Sequence, residues 1–303
     1  MVKSAWRSVV HSDKLFDMLN ILVMVILLFV FVYPLYFVLV ASFSDPVAVL
    51  NGKVVLWPVD FNLKSYDELF KYTKLWKGYR NTILYTVVGT CVNMVMTVLC
   101  AYPLSRKDWL PRGFFMKMLL VTMYFGGGMI PTYMVVKNLG LIDTVWAMII
   151  PNAVSFYNAL IVRNYFMNSI SISLQEAAEL DGANPVQYLL KIVLPLSKPV
   201  LAVVGLYYAV GHWNDYYSAL LYIYDRELSP LQTVLREVLV SVTSVSAEMA
   251  LSSEDAMAML EKVRLGQSLK YTSIIVSIIP MLIVYPFIQK FFVKGVMIGA
   301  IKG

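Results

Sequence analysis

Long runs of Leu, Val, Ile, Phe and Met alternate with short polar stretches along the chain. Six such runs, at about 16–43, 81–102, 114–136, 141–161, 199–222 and 273–293, reach the roughly 20 residues that an α-helix needs to cross a bilayer. The pattern predicts an all-α, polytopic membrane helix bundle of six transmembrane helices with both termini on one side. The first run outlasts the apolar core of a cleavable signal peptide and is read as a retained span, kinked at Pro34. Pro46, Pro58 and several aromatics mark 44–80 as a connection, with Trp57, Tyr66, Trp76 and Tyr79 as interfacial anchors. Asn81 is expected to cap the second span. Gly126, Gly127, Gly128 and Pro131 interrupt the third, either for close helix packing or as an unwound patch beside a path. Pro151 and Asn152 fall at mid-depth in the fourth. The polar stretch 225–270 predicts two short helices. One starts at Ser229-Pro230 with Leu231, Val234, Leu235 and Val238 on a face; the other starts near Ser253 and ends before Gly266.

One polar stretch, 163–198, stands apart, because its centre reads as two helices joined by a tight turn. Ser173 and Glu176 have capping-box spacing, which starts a helix at Leu174. Leu174, Ala177, Ala178 and Asp181 then fall on one narrow face. Gly182 supplies a left-handed residue to end that helix. Asn184 caps a second one, with Pro185 in its first turn and Gln187 completing a box, and Pro195 stops it. Such a knob either docks in another protein's groove or packs on its own chain.

Glu176-Ala177-Ala178, Asp181-Gly182-Ala183, Ile192 and Leu194-Pro195 resemble the EAA loop of inner-membrane permease subunits of binding-protein-dependent ABC importers. The likeness covers about 76–303. Asn81-Thr82, Phe125-Gly126-Gly127-Gly128, Ile130-Pro131-Thr132-Tyr133 and Trp213-Asn214-Asp215 resemble the maltose-type carbohydrate branch, especially its complex-polysaccharide and oligosaccharide members. The resemblance implies a noncatalytic subunit that pairs with a second permease. Glu176, Ala177, Ala178, Asp181, Gly182, Ala183, Leu194 and Pro195 would form the cytoplasmic elbow gripped by a dimer of ATPase subunits, which bind the ATP and Mg. An extracytoplasmic solute-binding protein would deliver carbohydrate to the outer loops 44–80 and 225–270. Residues 1–75 would form the tail, first span and outer loop, and 76–303 the transporter domain. Both termini would be cytoplasmic. Lys and Arg near span ends in the short loops favour the same orientation.

Composition agrees with a membrane protein. The 303 residues are 59% apolar and 15% charged, against about 25% charged in an ordinary soluble domain. The mean hydropathy is +0.69. A net charge of +6 invites a nucleic-acid partner, but the basic residues flank apolar runs and form no patch, so none is expected; the surroundings are membrane lipid. Cys91 and Cys100 lie inside an apolar run as packing residues. The chain has no G-x-x-x-x-G-K-[ST] phosphate loop, no H-E-x-x-H and no zinc-spaced cysteine pair, so no catalytic site, metal or cofactor of its own is expected.

Polar groups within apolar runs mark where a solute could pass, because they are costly in hydrocarbon unless they face a cavity or a partner. Asn152 and Asn158 of the fourth run, with Trp213, Asn214, Asp215 and Tyr216 of the fifth, are the candidates for a substrate path. Asn214 and Asp215 would bond sugar hydroxyls, and Trp213 would stack on sugar rings. Alternatively the asparagines join helices, and the aromatics, with Tyr207, Tyr208 and Tyr217, form an interfacial belt. Rival functions are a proton-coupled transporter using His212 and Asp215 at i, i+3, an ABC permease for a non-sugar solute, and a membrane scaffold.

Overall fold

The computed structural model describes residues 2–248, 266, 269–286 and 289. In chain order they form α1 (Val2–Ser42), α2 (Pro46–Leu50), α3 (Lys64–Lys71), α4 (Thr73–Ser105), α5 (Arg112–Tyr124) and α6 (Met129–Asn138). After a 3-10 turn at Val145–Met148 come α7 (Phe156–Ser169), α8 (Ile172–Leu180) and α9 (Pro185–Tyr188). A π stretch at Leu189–Val193 leads into α10 (Leu194–Leu196), α11 (Lys198–Asn214), α12 (Tyr217–Tyr222) and α13 (Leu231–Glu248). A further helix, α14, covers Leu269–Pro286. Among the described residues there is no strand, as an all-α fold requires.

Among the described residues, three helices are long and apolar enough to cross a membrane unbroken: Lys14–Ser42 within α1, α4, and α14. Two more candidates are bent. α5 meets α6 at 114°, and Pro185–Leu196 meets α11 at 83°. The first bend lies at Phe125–Gly128, where Gly128 has φ +87° and a Cβ on Gly126 would meet nothing within 4 Å. The glycines therefore unwind the segment rather than admit a neighbour from this chain.

The run at 141–161 is not one helix. Asn152 gives its carbonyl to the side chain of Asn93 instead of to a helical N–H, and Pro151 has no N–H to give. The helix begins at Phe156, with Ser155 as its cap. Asn81 does not cap the second span, which starts eight residues earlier at Thr73. The predicted helix near Ser253 and the end of the run at 273–293 lie outside the described residues.

The chain divides into two units. The first draws on the chain up to Lys71 and on Val238–Val276. In it, Asp45 caps α2, and Ala48 and Val54 pack on Val40 at the end of α1. Phe43 stacks on Phe61 and Tyr66, and Tyr66 also bonds Ser42.

The second unit draws on Tyr72–Glu237 and on the chain from Ser277. α4 is its axis and packs on α11 and α7. The buried stripe of α4 runs Gly78, Asn81, Thr82, Tyr85, Gly89, Asn93, Thr97, Ala101 and Leu104. That stripe is small and polar, while Ile83, Val87, Val95 and Leu99 point outward. Small residues bring backbones together where apolar side chains gain nothing by leaving lipid. At the first end of α4, Lys77 pairs with Glu227 at 2.6 Å. Asn81 donates to the carbonyls of Glu227 and Ser229, Tyr85 donates to that of Leu228, and Thr82 accepts from the amide of Leu231. Asn81 and Thr82 thus hold the entry to α13, which starts after Ser229-Pro230 as expected and buries Leu231, Val234 and Leu235.

Candidate functional site

Halfway along α4 the stripe reaches a cavity of about 550 Å³, within the roughly 300–1,000 Å³ usual for small-molecule sites. Its walls come from Asn93 on α4, the turn Asn152–Ser155, Asn158 on α7, and Tyr207, Tyr208, Gly211 and His212 on α11. Asp215 and Ser218 complete it. The α11 residues fall at i, i+1, i+4 and i+5, which is one helix face. Asp215 breaks the fifth apolar run, because its carboxylate accepts from the amide of Ser218 at 3.0 Å and so starts α12.

The wall is wired by hydrogen bonds. Asn93 Nδ2 donates to the carbonyl of Asn152 at 2.6 Å. Its Oδ1 then faces His212 Nε2 at 2.6 Å, so Nε2 must carry the proton. The ring of His212 lies directly on Gly89, where any Cβ would come within 2.4 Å of Nε2. Tyr208 shares a 2.7 Å bond with Thr97 and accepts from the amide of Ser155 at 3.1 Å. Each such bond is worth about 1 kcal/mol net, but leaving one buried member unmet costs about 1–3 kcal/mol. Asn158 has no such bond at its side chain among the described residues. It is only 7% exposed and lines the cavity. No Lys or Arg is among the lining residues.

Of the six residues expected on a path, Asn152, Asn158 and Asp215 meet here. Trp213 instead is buried and donates to the carbonyl of Ser277 at 3.1 Å, close to the ring of Tyr79. Asn214 bonds back to the carbonyl of Val210 in its own helix, and Tyr216 does not line the cavity. Tyr208 belongs to the wired wall and not to a surface belt. Asn93 and Thr97 were missed, though two polar residues at i, i+4 inside an apolar run were the available signal. The ring of His212 is hydrogen-bonded to Asn93, and the carboxylate of Asp215 to the amide of Ser218; the two side chains do not bond each other, as a His–Asp proton pair would need.

The polar stretch forms a helix–turn–helix. Its first helix starts two residues earlier than the spacing suggests. Ser171 is the cap and bonds both the amide and the hydroxyl of Ser173, so the Ser173 hydroxyl is already taken. The corner closes as a Schellman motif. The amide of Ala183 reaches the carbonyl of Ala178 at 2.9 Å, that of Gly182 reaches Glu179 at 3.0 Å, and Gly182 has φ +77°. Asn184 and Gln187 then form the predicted capping box. Pro195 does not stop the second helix. The chain widens to π geometry at Leu189–Val193, passes Pro195 and turns at Ser197.

The two neighbouring alanines part ways. Ala178 is buried in a cluster with Ala101, Phe166, Tyr188, Leu189 and Val193, and Ala183, Ile192 and Leu194 pack against it. Ala177, Glu176, Asp181, Gly182 and Pro195 face out. So do Leu180, at 90% exposure, and Val186, at 62%. The knob therefore packs on its own chain with one face and leaves an apolar-tipped face uncovered.

No family model matches the chain. The polygalacturonan/rhamnogalacturonan transport system permease protein YtcP of Bacillus subtilis is 39% identical over 292 residues, covering 96% of this chain and 100% of that protein. Protein LplC of Bacillus subtilis is 37% identical over 292 residues, covering 96% of each. Among solved structures, a bacterial ABC transporter involved in import of the acidic polysaccharide alginate has a chain that superposes with a TM-score of 0.82 at 35% identity. That match covers 93% of this chain and 98% of the other.

Proposed function

The chain belongs to the permease subunits of carbohydrate ABC importers, and from that premise we propose that it forms half of a sugar path driven by a partner ATPase through the α8–α9 elbow. The observation that carries this reading is the elbow itself: a corner fixed by a Schellman motif and a capping box, packed inward at Ala178, with Leu180 and Val186 uncovered. Exposed apolar groups on a rigid corner suit a cleft in another protein. Glu176, Ala177, Asp181, Gly182 and Pro195 share that outward position, while Ala178, Ala183 and Leu194 anchor the elbow.

In this reading six crossings are made by α1, α4, the α5–α6 pair, α7 with the segment before it, the bent pair ending in α11, and α14. The elbow and both termini lie in the cytoplasm of a cell whose inner membrane holds the complex. Residues 1–75 form the tail, first crossing and outer loop, and 76–303 the transporter domain, a boundary inside the first turn of α4. A second permease completes the path and a solute-binding protein loads it from outside. ATP and Mg belong to the ATPase pair, and this chain performs no chemistry on its cargo.

The cargo is an oligosaccharide, and the names of the relatives favour one containing uronate units. The cavity offers Asn158 and Asp215 to sugar hydroxyls; with no cation in its wall, it leaves carboxylates to be neutralised elsewhere. Leu180→Cys tests the central contact. In the assembled complex it should cross-link to the ATPase subunit through a short bifunctional thiol reagent, whereas a cysteine at outward-facing Leu84 of α4 should not. Equal cross-linking from both positions, or none from Leu180→Cys, defeats the proposal.

A further inference from the structure

The elbow does not touch α4 through apolar packing alone. Arg106, the residue that ends α4, is only 12% exposed at its side chain. Its Nε and one terminal nitrogen grip both oxygens of Asp108 at 2.9 Å. The same terminal nitrogen reaches Glu179 on α8 at 3.0 Å. Gln175 donates to that same Glu179 oxygen at 3.0 Å, fixing its rotamer. The guanidinium also sits 5.9 Å from the ring centre of Tyr188 in α9. One turn earlier in α4, Tyr102 donates to the carbonyl of Pro185 at 3.0 Å. Both helices of the elbow are thus tied by polar contacts to the last turn of α4.

The far part of the same helix holds the cavity. Asn93 and Thr97 precede Arg106 by 13 and nine residues, or about 20 and 14 Å at 1.5 Å per residue. Asn93 carries His212 and Asn152, and Thr97 carries Tyr208. α4 runs as one helix between these points, with Pro103 inside it; that proline leaves the carbonyl of Leu99 without its helical donor. A displacement of its last turn reaches the cavity wall along this one helix, past Pro103.

We propose that Arg106 is a positioning residue that carries motion of the elbow into α4, with Glu179 as its grip on the elbow. This rests on the elbow being the ATPase contact. Two observations separate the role from simple stabilisation. Glu179 is 55% exposed at its side chain, so its pairing is not needed to bury a charge. The elbow also keeps its own apolar anchor in Ala178, Tyr188, Leu189 and Val193 if the pair is cut.

The test uses the whole importer in nanodiscs, with Cys91 and Cys100 replaced by Ala and Ser218→Cys placed in the cavity wall as the reporter. Trapping with ATP and vanadate should change the rate at which a small polar maleimide labels that cysteine. With Glu179→Gln or Arg106→Gln the trapping-induced change should shrink about five-fold or more, the low end of coupling between sites. ATPase subunits should still co-purify and hydrolyse ATP. Arg106→Lys, which keeps the charge but loses the fork, should recover part of the change. Full labelling response in both Gln variants overturns the proposal. Loss of ATPase co-purification in step with the response also overturns it, because the pair would then serve docking rather than transmission. If the Leu180→Cys cross-link fails while the labelling response depends on Arg106, the elbow reading falls and the Arg106 link stands.

Discussion

Replacing Gly89 by Ala is the sharpest probe of the wired cavity wall. A Cβ at that position would lie 2.4 Å from His212 Nε2, 2.6 Å from Cε1 and 2.9 Å from Cδ2. The ring has to move, since the other partner is the backbone of α4. Forcing a methyl into packed surroundings costs about 1–3 kcal/mol. Moving the ring breaks its 2.6 Å bond to Asn93, and a buried polar group left unmet adds about 1–3 kcal/mol. The better helix propensity of Ala offsets about 1 kcal/mol. The net loss is about 1–5 kcal/mol, centred near 3. Thermal unfolding of the purified complex, followed with a dye that reports exposure of the half-buried Cys100 thiol in a Cys91→Ala background, would show it as a lower midpoint. The mechanism also predicts rescue. His212→Ala should be costly alone, yet cost at least about 1 kcal/mol less in the Gly89→Ala background, because the space has been vacated. An unchanged midpoint in Gly89→Ala, or strictly additive losses in the double variant, would refute the reasoning.

Three further outcomes follow from the same geometry. Gly182→Val places a β-branched residue at φ +77°, strained by about 1–2 kcal/mol; sugar uptake should be abolished and ATP hydrolysis uncoupled while the chain still reaches the membrane, and normal uptake would count against the elbow. Asn158→Ala removes an amide that has no protein partner to abandon, so the unfolding midpoint should stay within about 0.5 kcal/mol of the original while half-saturating cargo concentration rises; a large stability loss with unchanged uptake would make Asn158 structural. Gly126→Ala meets open space and should leave the unfolding midpoint unchanged; a marked fall would restore the close-packing explanation for the glycines.

What the sequence revealed and what it hid have physical causes. Gly182, the Asn184–Gln187 box and the start of α13 were legible because caps and turns depend on a few neighbouring residues. The first cap was misplaced by two residues because Ser171 and Ser173 both suit the role, and only their mutual bond decides between them. The run at 141–161 looked like one unbroken helix because hydropathy ignores where backbone groups find partners; Asn152 bonds across to α4, 59 residues away in sequence. Three of the six path candidates line the cavity and three do not, for a related reason. Asn158 and Asp215 stand out as polar groups in apolar runs, but Asn214 has the same chemistry and turns back on its own helix. Side-chain direction at the end of α11 depends on the break at Asp215. Asn93 and Thr97 escaped notice because the small polar stripe of α4 is diluted by the apolar residues on its outer side.

As a permease subunit driven by a partner ATPase, the chain is expected to have no drive of its own. Proteoliposomes holding this subunit, its partner permease, the ATPase pair and the solute-binding protein should accumulate labelled oligogalacturonate when ATP is enclosed with the ATPase subunits. Uptake should continue in the presence of a protonophore and cease when the ATPase subunits are left out. Accumulation by the two permeases alone, or collapse on adding the protonophore with ATP still present, would contradict the account.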